Sequence, residues 1–385
     1  MGYTSCYADP DVWLKDCGTH YEYVCVYVDD LAVMAKDPSA FFAELRRRKC
    51  KLKGVGDITY HLGGNFFRDP DGTLAWGAKT YIQRILKQCE TIFERLPKEY
   101  TAPLDPKDHP ELDTSEELDE NGIRDYQSLI GALQWCISLC RYDIHCATMS
   151  MGRFRSAPRK GHLARLERIC GYLRKYPDGA VRFRTEMPDY SYLDHTEYDW
   201  SYSVYGTSHE EIPKGMPIPR GKPVKTTTFE DANLMHDLTT GRSATGILHL
   251  VNQTPIDWYS KRQATVETAT YGSEFVAARI ATEQIMDLRY TLRMLGAPIE
   301  GRAYTFGDNQ GVITSSTLPH STLNKRHNAL AYHRVREAIA SRVMWFFHIP
   351  GVENPADIFT KFLGHQVLWP LIKPFLFWEG DAASL

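Results

Sequence analysis

Four acidic residues in the second half of this 385-residue chain stand where their carboxylates could converge: Asp231, Glu274, Asp308 and Asp357. Two of them follow β-rich runs, Asp231 after Thr226–Phe229 and Asp308 after Ala303–Phe306, which predicts that each lies at the end of a strand. Oxygen ligands gathered in this way are what a pair of Mg²⁺ ions needs to hydrolyse a phosphodiester. Taken singly, each acid could equally be a turn residue or a helix cap.

The other two acids are predicted at helical positions. Glu274 lies in the first turns of the helical pattern Thr268–Leu295, whose apolar stripe is not interrupted by proline. Asp357 opens the helical piece Ala356–Phe362, at an N-terminal position where backbone amides favour an acid. The order strand, helix, strand, helix fits convergence on one site better than it fits four unrelated caps.

Two more β-rich runs, Ser243–Val251 and Pro255–Ser260, are bounded by turn residues and predict antiparallel strands. With the acids, the segment from about 226 to 363 resembles the ribonuclease H domain of copia-type long-terminal-repeat retrotransposons. The motifs that carry the resemblance are Asp231-Ala232-Asn233, Gly241-Arg242-Ser243-Ala244-Thr245-Gly246, Ser260-Lys261-Arg262-Gln263, Ser273-Glu274-Phe275, Gly307-Asp308-Asn309 and Asn354-Pro355-Ala356-Asp357-Ile358-Phe359-Thr360-Lys361. The resemblance implies a five-stranded mixed sheet with flanking helices.

It also implies metal-dependent cleavage of the RNA strand of an RNA–DNA hybrid, with all four acids as metal ligands. The expected cofactor is a pair of Mg²⁺ ions, for which Mn²⁺ could substitute. Bases and polar groups near the Asp308 loop are the expected nucleic-acid contacts. These are Lys325, Arg326, Arg334 and Arg336 for phosphates, and Asn309, Gln310 and Ser273 for 2′-hydroxyls.

A second acidic motif stands near the start of the chain. The runs Tyr21–Tyr27 and Leu31–Met34 predict a hairpin with Asp29 and Asp30 at its tip. Two adjacent acids are usually an ordinary turn. Here Tyr27-Val28-Asp29-Asp30 resembles the palm-domain signature of reverse transcriptases, and this resemblance makes both aspartates candidate metal ligands.

The next features follow in the order of that family. Gly63–Arg68 and the turn Asp69–Gly72 predict a hairpin that resembles the primer-gripping hairpin. Lys79 opens a helix that resembles the start of the thumb. In the family a third palm acid lies well upstream of the tip aspartates, whereas 28 residues precede Asp29 here. We therefore expect RNA-directed DNA polymerase activity on a primer-template only in a longer form that includes upstream polyprotein segments, unless Asp9 or Asp11 substitutes.

The middle of the chain is predicted to be a linker followed by helices. Tyr100–Asp125 is rich in proline and acids and predicts a mobile linker. The helices from Tyr126 carry a "YxSLIGxL … RxDI" pattern that resembles the family's connection. Residues 186–225 are rich in tyrosine, which favours an extra hairpin leading into the nuclease sheet, and Val367–Trp378 predicts a terminal helix.

The expected fold class is therefore mixed α+β, divided along the chain into five parts. They are 1–100 for a partial palm and thumb start, 101–185 for the linker and helical thumb or connection, 186–225 for a connecting insertion, 226–365 for the ribonuclease H domain and 366–385 for a tail.

Composition limits the class of protein. No apolar run approaches the length of a membrane span, and the net charge of −3 argues weakly against a nucleic-acid protein, although charge can be local. All nine cysteines lie between Cys6 and Cys170 without a paired CxxC spacing, which predicts free thiols in a reducing compartment and no zinc site. The resemblance implies that the protein is located in the cytoplasm, in a virus-like particle with access to the nucleus. It implies no membrane partner.

Two classes of function fit the sequence. The first is an enzyme, either a hybrid-specific ribonuclease H alone or a part of a larger reverse transcriptase. The second is a non-catalytic nucleic-acid-binding or degenerate remnant of a transposon. The presence of all four nuclease acids favours the enzyme, and the incomplete palm favours the remnant as far as polymerisation is concerned.

Overall fold

The computed structural model describes residues 1–323 and 326–377, and the first of its sheets holds the predicted palm hairpin. Its antiparallel strands run in the order β1 (Thr4–Ser5), β2 (Val12–Asp16), β3 (Tyr21–Tyr27) and β4 (Asp30–Met34). Tyr27 pairs with Asp30, and Val28 between them has a positive φ of 54°. The predicted hairpin is confirmed, and helix α1 (Pro38–Arg47) follows it.

A second antiparallel sheet contains the hairpin predicted around residues 63–72. Its strands are β5 (Tyr60–His61), β6 (Gly64–Arg68), β7 (Leu74–Gly77) and β8 (Ala180–Arg182), in that order across the sheet. Helix α2 (Lys79–Phe93) begins directly after β7. Strand β8 comes from about 100 residues later in the chain and pairs with β7, so this sheet joins the first part of the chain to the helical part.

The helical part forms the largest apolar core of the described chain. It contains α2 together with α3 (Glu120–Ser138), α4 (His145–Met151), α5 (Lys160–Lys175) and α9 (His365–Leu376). Leu129 of α3, Leu166 of α5 and Ile372 of α9 are all buried in it. The terminal helix predicted from the apolar tail is thus present up to Leu376, and Trp378 lies outside the described residues.

The stretch from 100 to 125 is packed against these helices, which corrects the prediction of a mobile linker. Leu104 is buried in the helical core. Arg165 of α5 pairs with Asp108 at 2.7 Å and with Asp113 at 2.6 Å. Two of the acids that gave this segment a disordered composition are therefore partners of an arginine on the neighbouring helix, and sequence composition alone does not reveal that pairing.

The third sheet is the five-stranded mixed sheet that the resemblance implied. Its strands are β9 (Thr226–Asp237), β10 (Arg242–Val251), β11 (Thr254–Arg262), β12 (Ala303–Gly307) and β13 (Met344–His348). They lie in the order β11-β10-β9-β12-β13. The pairs β11–β10 and β10–β9 are antiparallel, and β9–β12 and β12–β13 are parallel. The predicted fold class, mixed α+β with this sheet, is confirmed.

Both faces of the third sheet are covered. Helices α6 (Thr270–Met294), α7 (Gln310–Thr317) and α8 (Ala329–Ala340) pack on one face around Phe275 and Val335. Along β10, Leu248 joins the helical core on the other face, whereas His249 hydrogen-bonds Gln284 of α6. This alternation is the period of two expected of a strand buried on both sides.

Residues 186–225, all of which the structure describes, do not form the predicted hairpin. Apart from an isolated bridge at Val224, the segment consists of turns and loops. The ring of Tyr190 packs on Tyr304 of β12, with centroids 4.5 Å apart. Tyr190 therefore covers the sheet as a single ring, because an aromatic side chain can bury a large apolar area without belonging to a strand, whereas Tyr192 and Tyr202 are exposed.

Candidate active site

Three of the four predicted nuclease acids meet where the pairing between the neighbouring strands β9 and β12 of the mixed sheet ends. Asp231 lies on β9, Asp308 directly follows β12, and Asp357 lies in the 3₁₀ helix Pro355–Phe359. Each contributes a carboxylate oxygen to a group whose atoms all lie within 4.8 Å of one another. Because β9 and β12 are adjacent and parallel, the residue that follows β12 emerges beside Asp231.

Asp231 does not end its strand, which corrects the sequence expectation. Strand β9 continues to Asp237, and Asp231 pairs with Gly246 of β10. On its other side, however, β9 pairs with β12 only as far as Phe229. The strand therefore ends on the β12 side alone, and this one-sided ending opens the space in which the aspartates meet.

The 3₁₀ helix that carries Asp357 is held against β9 and β10. The side chain of Asn354 donates to the carbonyl of Glu230 at 2.9 Å and accepts from the amide of Ala356. A Cβ at Gly246 would lie 2.7 Å from the Ala356 carbonyl oxygen, so only glycine permits this approach. The segment was predicted as a helix over 356–362, and the structure shows a shorter, tighter turn.

Glu274, the fourth predicted acid, lies next to this group and outside it. It is buried in the first turns of α6, and among the described residues its Oε2 has no hydrogen-bond partner. Burial and the charges of Glu230, Asp231 and Asp308 raise its pKa well above the ordinary range. Helix α6, which carries Glu274, packs on β9, the strand that carries Asp231.

Glu230 is an additional buried acid that sequence reasoning missed. It is 2% exposed, and burial followed by the charges of Asp231 and Asp308 raises its pKa well above the ordinary range. A Cβ at Gly307 would collide with Oε1 of Glu230, so the glycine before Asp308 makes room for this carboxylate. The signal in the sequence was the adjacent Glu-Asp pair inside a β-rich run.

The carboxylates raise one another's pKa values. Burial and the charge of Asp231 raise the pKa of Asp308 above its ordinary value and that of Asp357 to about 7. Such a cluster is costly when every member is ionised, and divalent cations reduce that cost. The donors are all oxygens, and the Oε2 atoms of Glu230 and Glu274, which have no hydrogen-bond partner in the described part of the chain, remain available. This donor set fits Mg²⁺ or Mn²⁺ and does not favour a soft metal.

Thr360 and Lys361, which follow Asp357 in the chain, contact the acid cluster. The ammonium of Lys361 lies 2.6 Å from Oδ1 of Asp357 and 3.4 Å from Oδ1 of Asp231. The hydroxyl of Thr360 donates to Oδ2 of Asp231. Both belong to the motif that carried the resemblance, but no role was predicted for either. For Lys361, the sequence feature that could have indicated the contact was its i, i+4 spacing from Asp357, which places the two side chains together.

The polar residues expected to contact a 2′-hydroxyl are divided by burial. Asn309 caps α7 by accepting from the amide of Val312 at 3.1 Å, and Gln310 beside it is exposed. Ser273 is fully buried and donates to the carbonyl of Thr270. This burial corrects the expectation for Ser273, since a fully buried side chain cannot contact a nucleic acid.

The predicted phosphate contacts are divided in the same way. Arg336 is 3% exposed, and its guanidinium donates to the carbonyls of Ser315, Leu318 and Pro319, so it is structural, contrary to expectation. Arg334 is partly exposed and pairs with Glu337. Arg326 is exposed, and Lys325 lies outside the described residues.

A cationic groove between α4 and the edge strand β11 was not predicted. Its volume is about 950 Å³, and its lining includes Arg153, Arg155, Arg242, Lys261 and Arg262. Asp237 pairs with Arg153 at 2.5 Å and with Arg262 at 2.6 Å. The other three have no ion pair in the described part of the chain, so the groove keeps an excess of positive charge.

Asp29 and Asp30, the predicted palm acids, are exposed at the tip of the β3–β4 hairpin. Within the described ranges, neither belongs to a group of three side chains that could hold a metal ion. The structure therefore does not bring them together with a third acid. No helix among the described residues is long and apolar enough to cross a membrane.

No family model matches the chain. It is 26% identical over 371 residues to the retrovirus-related Pol polyprotein from transposon TNT 1-94 of Nicotiana tabacum, a match that covers 93% of this chain. It is 22% identical to the Pol polyprotein from transposon RE1 of Arabidopsis thaliana, a match that covers 94% of this chain. The chain is thus similar, over most of its length, to Pol polyproteins from transposons. The resemblance drawn from the motifs is confirmed.

This chain spans 25% and 22% of the lengths of those two relatives. Among solved structures, it is similar to ribonuclease H1 from the archaeon Halobacterium salinarum, with 17% identity and a TM-score of 0.28. It is also similar to LC11 ribonuclease H1 in complex with an RNA/DNA hybrid, with 15% identity and a TM-score of 0.29. Each match covers 35% of this chain and 94% of the solved one.

Proposed function

We propose that this chain is a metal-dependent ribonuclease H that cleaves the RNA strand of RNA–DNA hybrids as one part of a longer Pol polyprotein. One observation carries the proposal. Asp231, Asp308 and Asp357 place carboxylate oxygens within 4.8 Å of one another, beside the buried Glu274. Acids are brought together at this cost mainly where divalent cations bind.

The residues of the cluster would have separate roles in binding metal ions and in orienting the ligands. The three aspartates would hold two Mg²⁺ ions, since each offers an oxygen to the same small volume, and the neighbouring Glu274 would complete the ligand set. When bound, the ions would supply an activated water and stabilise the leaving 3′ oxygen. Thr360 orients Asp231 by its hydrogen bond, and Asn354 fixes the turn that carries Asp357.

Contacts outside the acids would hold the hybrid. Gln310 and Asn309 lie next to Asp308 and can reach a 2′-hydroxyl, the group that distinguishes RNA from DNA. Arg326 is exposed, and the cationic groove lined by Arg242 and Lys261 offers a path for a phosphate backbone. Phosphate contacts would supply affinity, and the 2′-hydroxyl contacts would supply strand choice.

Polymerisation is not proposed for this chain alone. The tip aspartates Asp29 and Asp30 are exposed and stand without a third described acid. Two metal ions short of a carboxylate would lose much of the electrostatic stabilisation of the phosphoryl transfer. RNA-directed DNA polymerase activity is proposed only for a longer Pol chain.

The test is a substrate panel with the purified chain. RNA labelled at its 5′ end is presented as a hybrid with DNA, as a single strand and as duplex RNA, alongside labelled duplex DNA, with Mg²⁺ or EDTA. We expect cleavage of the RNA in the hybrid with Mg²⁺, and none with EDTA. Asp287→Asn, an exposed acid on the same helix as Glu274, is the matched control and should cut like the parent.

Binding is measured on the same hybrid by fluorescence anisotropy. Hybrid binding without Mg²⁺-dependent cleavage would overturn the nuclease and support the non-catalytic remnant. Equal cleavage of hybrid and duplex DNA would overturn the strand preference and leave a general nuclease.

A further inference from the structure

A second cluster of metal-ligating side chains lies in the first sheet, far along the chain from the nuclease acids. Cys17, His20 and Glu22 each offer one ligand atom, and these atoms all lie within 4.8 Å of one another. The three chemistries differ, since they are a thiol, an imidazole and a carboxylate. The absence of a paired CxxC spacing argued against a zinc site, but that argument does not cover a set of mixed ligands.

The β2–β3 hairpin explains why these three side chains meet. Lys15 pairs with Glu22 across the two strands, and the amide of Cys17 donates to the carbonyl of His20 at 2.9 Å. Gly18, with φ of 83°, permits the tight turn between them. Because alternate residues share a face of a hairpin, Cys17 and His20 stand opposite each other and Glu22 lies next to them.

The side chains are oriented towards a common point. Nε2 of His20 is shielded from solvent and has no hydrogen-bond partner among the described residues. Its other ring nitrogen, Nδ1, lies 3.0 Å from the hydroxyl of Thr19. When Nδ1 carries the proton and donates it to Thr19, Nε2 presents a lone pair, which is the usual arrangement of a metal-binding histidine.

The carboxylate and the thiol are also placed for this role. Tyr3 and Lys15 both contact Oε2 of Glu22, at 2.9 Å and 3.2 Å, and within the described ranges Oε1 has no such contact. Cys17 is a free, partly exposed thiol whose nearest acceptor is the carbonyl of Lys15, at 3.8 Å. Both ligands can therefore turn towards Nε2 of His20 without breaking a strong bond.

We propose that Cys17, His20 and Glu22 bind a divalent ion of the zinc class. Sulfur and imidazole ligands favour zinc over magnesium, and three protein ligands leave one position of a tetrahedral site for water. On binding, the Cys17 thiol loses its proton to the buffer and the sulfur–metal bond forms. The ion would close the end of a hairpin whose other face packs through Tyr21 on the end of α6.

The test uses the purified full chain and Co²⁺ as a spectroscopic probe for the site. We expect one equivalent of Co²⁺ to give a thiolate-to-cobalt absorption band, and Zn²⁺ to remove it. Cys17→Ser should abolish the band, and His20→Asn should weaken Zn²⁺ binding by at least about 100-fold, the upper end for loss of an outer ligand partner. Cys50→Ser, which removes an exposed thiol elsewhere, is the matched control and should leave the band unchanged.

A second measurement does not depend on the folding of any variant. Zn²⁺ should slow alkylation of Cys17 in the parent chain, read by mass spectrometry, without slowing alkylation of Cys50. Asp308→Asn should give the same thiolate-to-cobalt absorption band as the parent, because the nuclease acids contribute no thiolate to the band. Equal alkylation of Cys17 with and without Zn²⁺, or a cobalt band that survives Cys17→Ser, would overturn the site and leave the nuclease proposal untouched.

Discussion

Replacing Asp357 by asparagine is predicted to stabilise the metal-free chain, and more so as the pH rises. The pKa of Asp357 is raised from 3.8 to about 7 by burial and by the charge of Asp231. Between these two values the unfolded chain has lost the proton and the folded chain still holds it. The free energy of unfolding therefore falls progressively as the pH rises from about 4 to 7. Above pH 7 it stays lowered by the full amount.

The magnitude follows from the shift. A shift of about three units corresponds to about 4 kcal/mol at high pH, as an upper bound. Between pH 5 and pH 8 the penalty grows by about 3 kcal/mol, because about two units of the shift lie above pH 5. Burial lowers the pKa of His145 to about 4, which changes stability with pH in the opposite direction. The parent must therefore be compared with Asp357→Asn at each pH, so that the histidine contribution cancels.

The assay is urea unfolding followed by tryptophan fluorescence in EDTA at pH 5 and pH 8. We expect the stability advantage of Asp357→Asn over the parent to grow by up to about 3 kcal/mol across this interval. Asp287→Asn, an exposed acid on α6, should show no such growth. Adding Mg²⁺ at pH 8 should stabilise the parent more than Asp357→Asn. A difference between the two chains that does not depend on pH would refute the reasoning about the acid cluster.

Three other perturbations have expected outcomes. Gly246→Ala should cost about 1–3 kcal/mol in urea unfolding and slow hybrid cleavage, because its Cβ meets the turn that carries the third aspartate; unchanged cleavage would contradict the close approach. The double variant Arg242→Gln and Lys261→Gln should lower the salt dependence of hybrid binding by about one unit of slope per lost phosphate contact; an unchanged slope would remove the groove from the binding path. Arg336→Met should destabilise the chain, whereas Arg326→Met should weaken hybrid binding and leave stability unchanged; the reverse pattern would contradict the burial of Arg336.

Elements with a strong local pattern were predictable from the sequence. Strand β3 was predicted with its observed bounds, and the long helix α6 differs from its prediction by a residue or two at each end. Both have a period of apolar residues that local physics dictates. The convergence of Asp231 and Asp308 was suggested by the order of motifs, and it depends on β12 pairing in parallel with β9, which no local pattern reveals.

What could not be predicted depends on contacts between distant segments. Arg336 resembles any exposed arginine on a helix, and only the three carbonyl groups that meet it in the fold show that it is structural. Glu230 would ordinarily be an exposed strand residue. Its burial follows from the covering of both faces of the sheet by helices. The tyrosines of 186–225 alternate as in a strand, but Tyr190 covers the sheet as a single ring, whereas Tyr192 and Tyr202 are exposed.

The central claim is that the carboxylate cluster cleaves RNA in a hybrid, and Asp308→Asn tests it most directly. The substitution keeps the shape of the side chain and removes one charge, so the site loses a metal ligand without losing its packing. The measurement is the rate of Mg²⁺-dependent cleavage of a labelled RNA–DNA hybrid by parent and variant, with hybrid affinity measured in parallel. We predict that cleavage falls by orders of magnitude while binding largely persists. Equal cleavage rates for parent and variant would contradict the account.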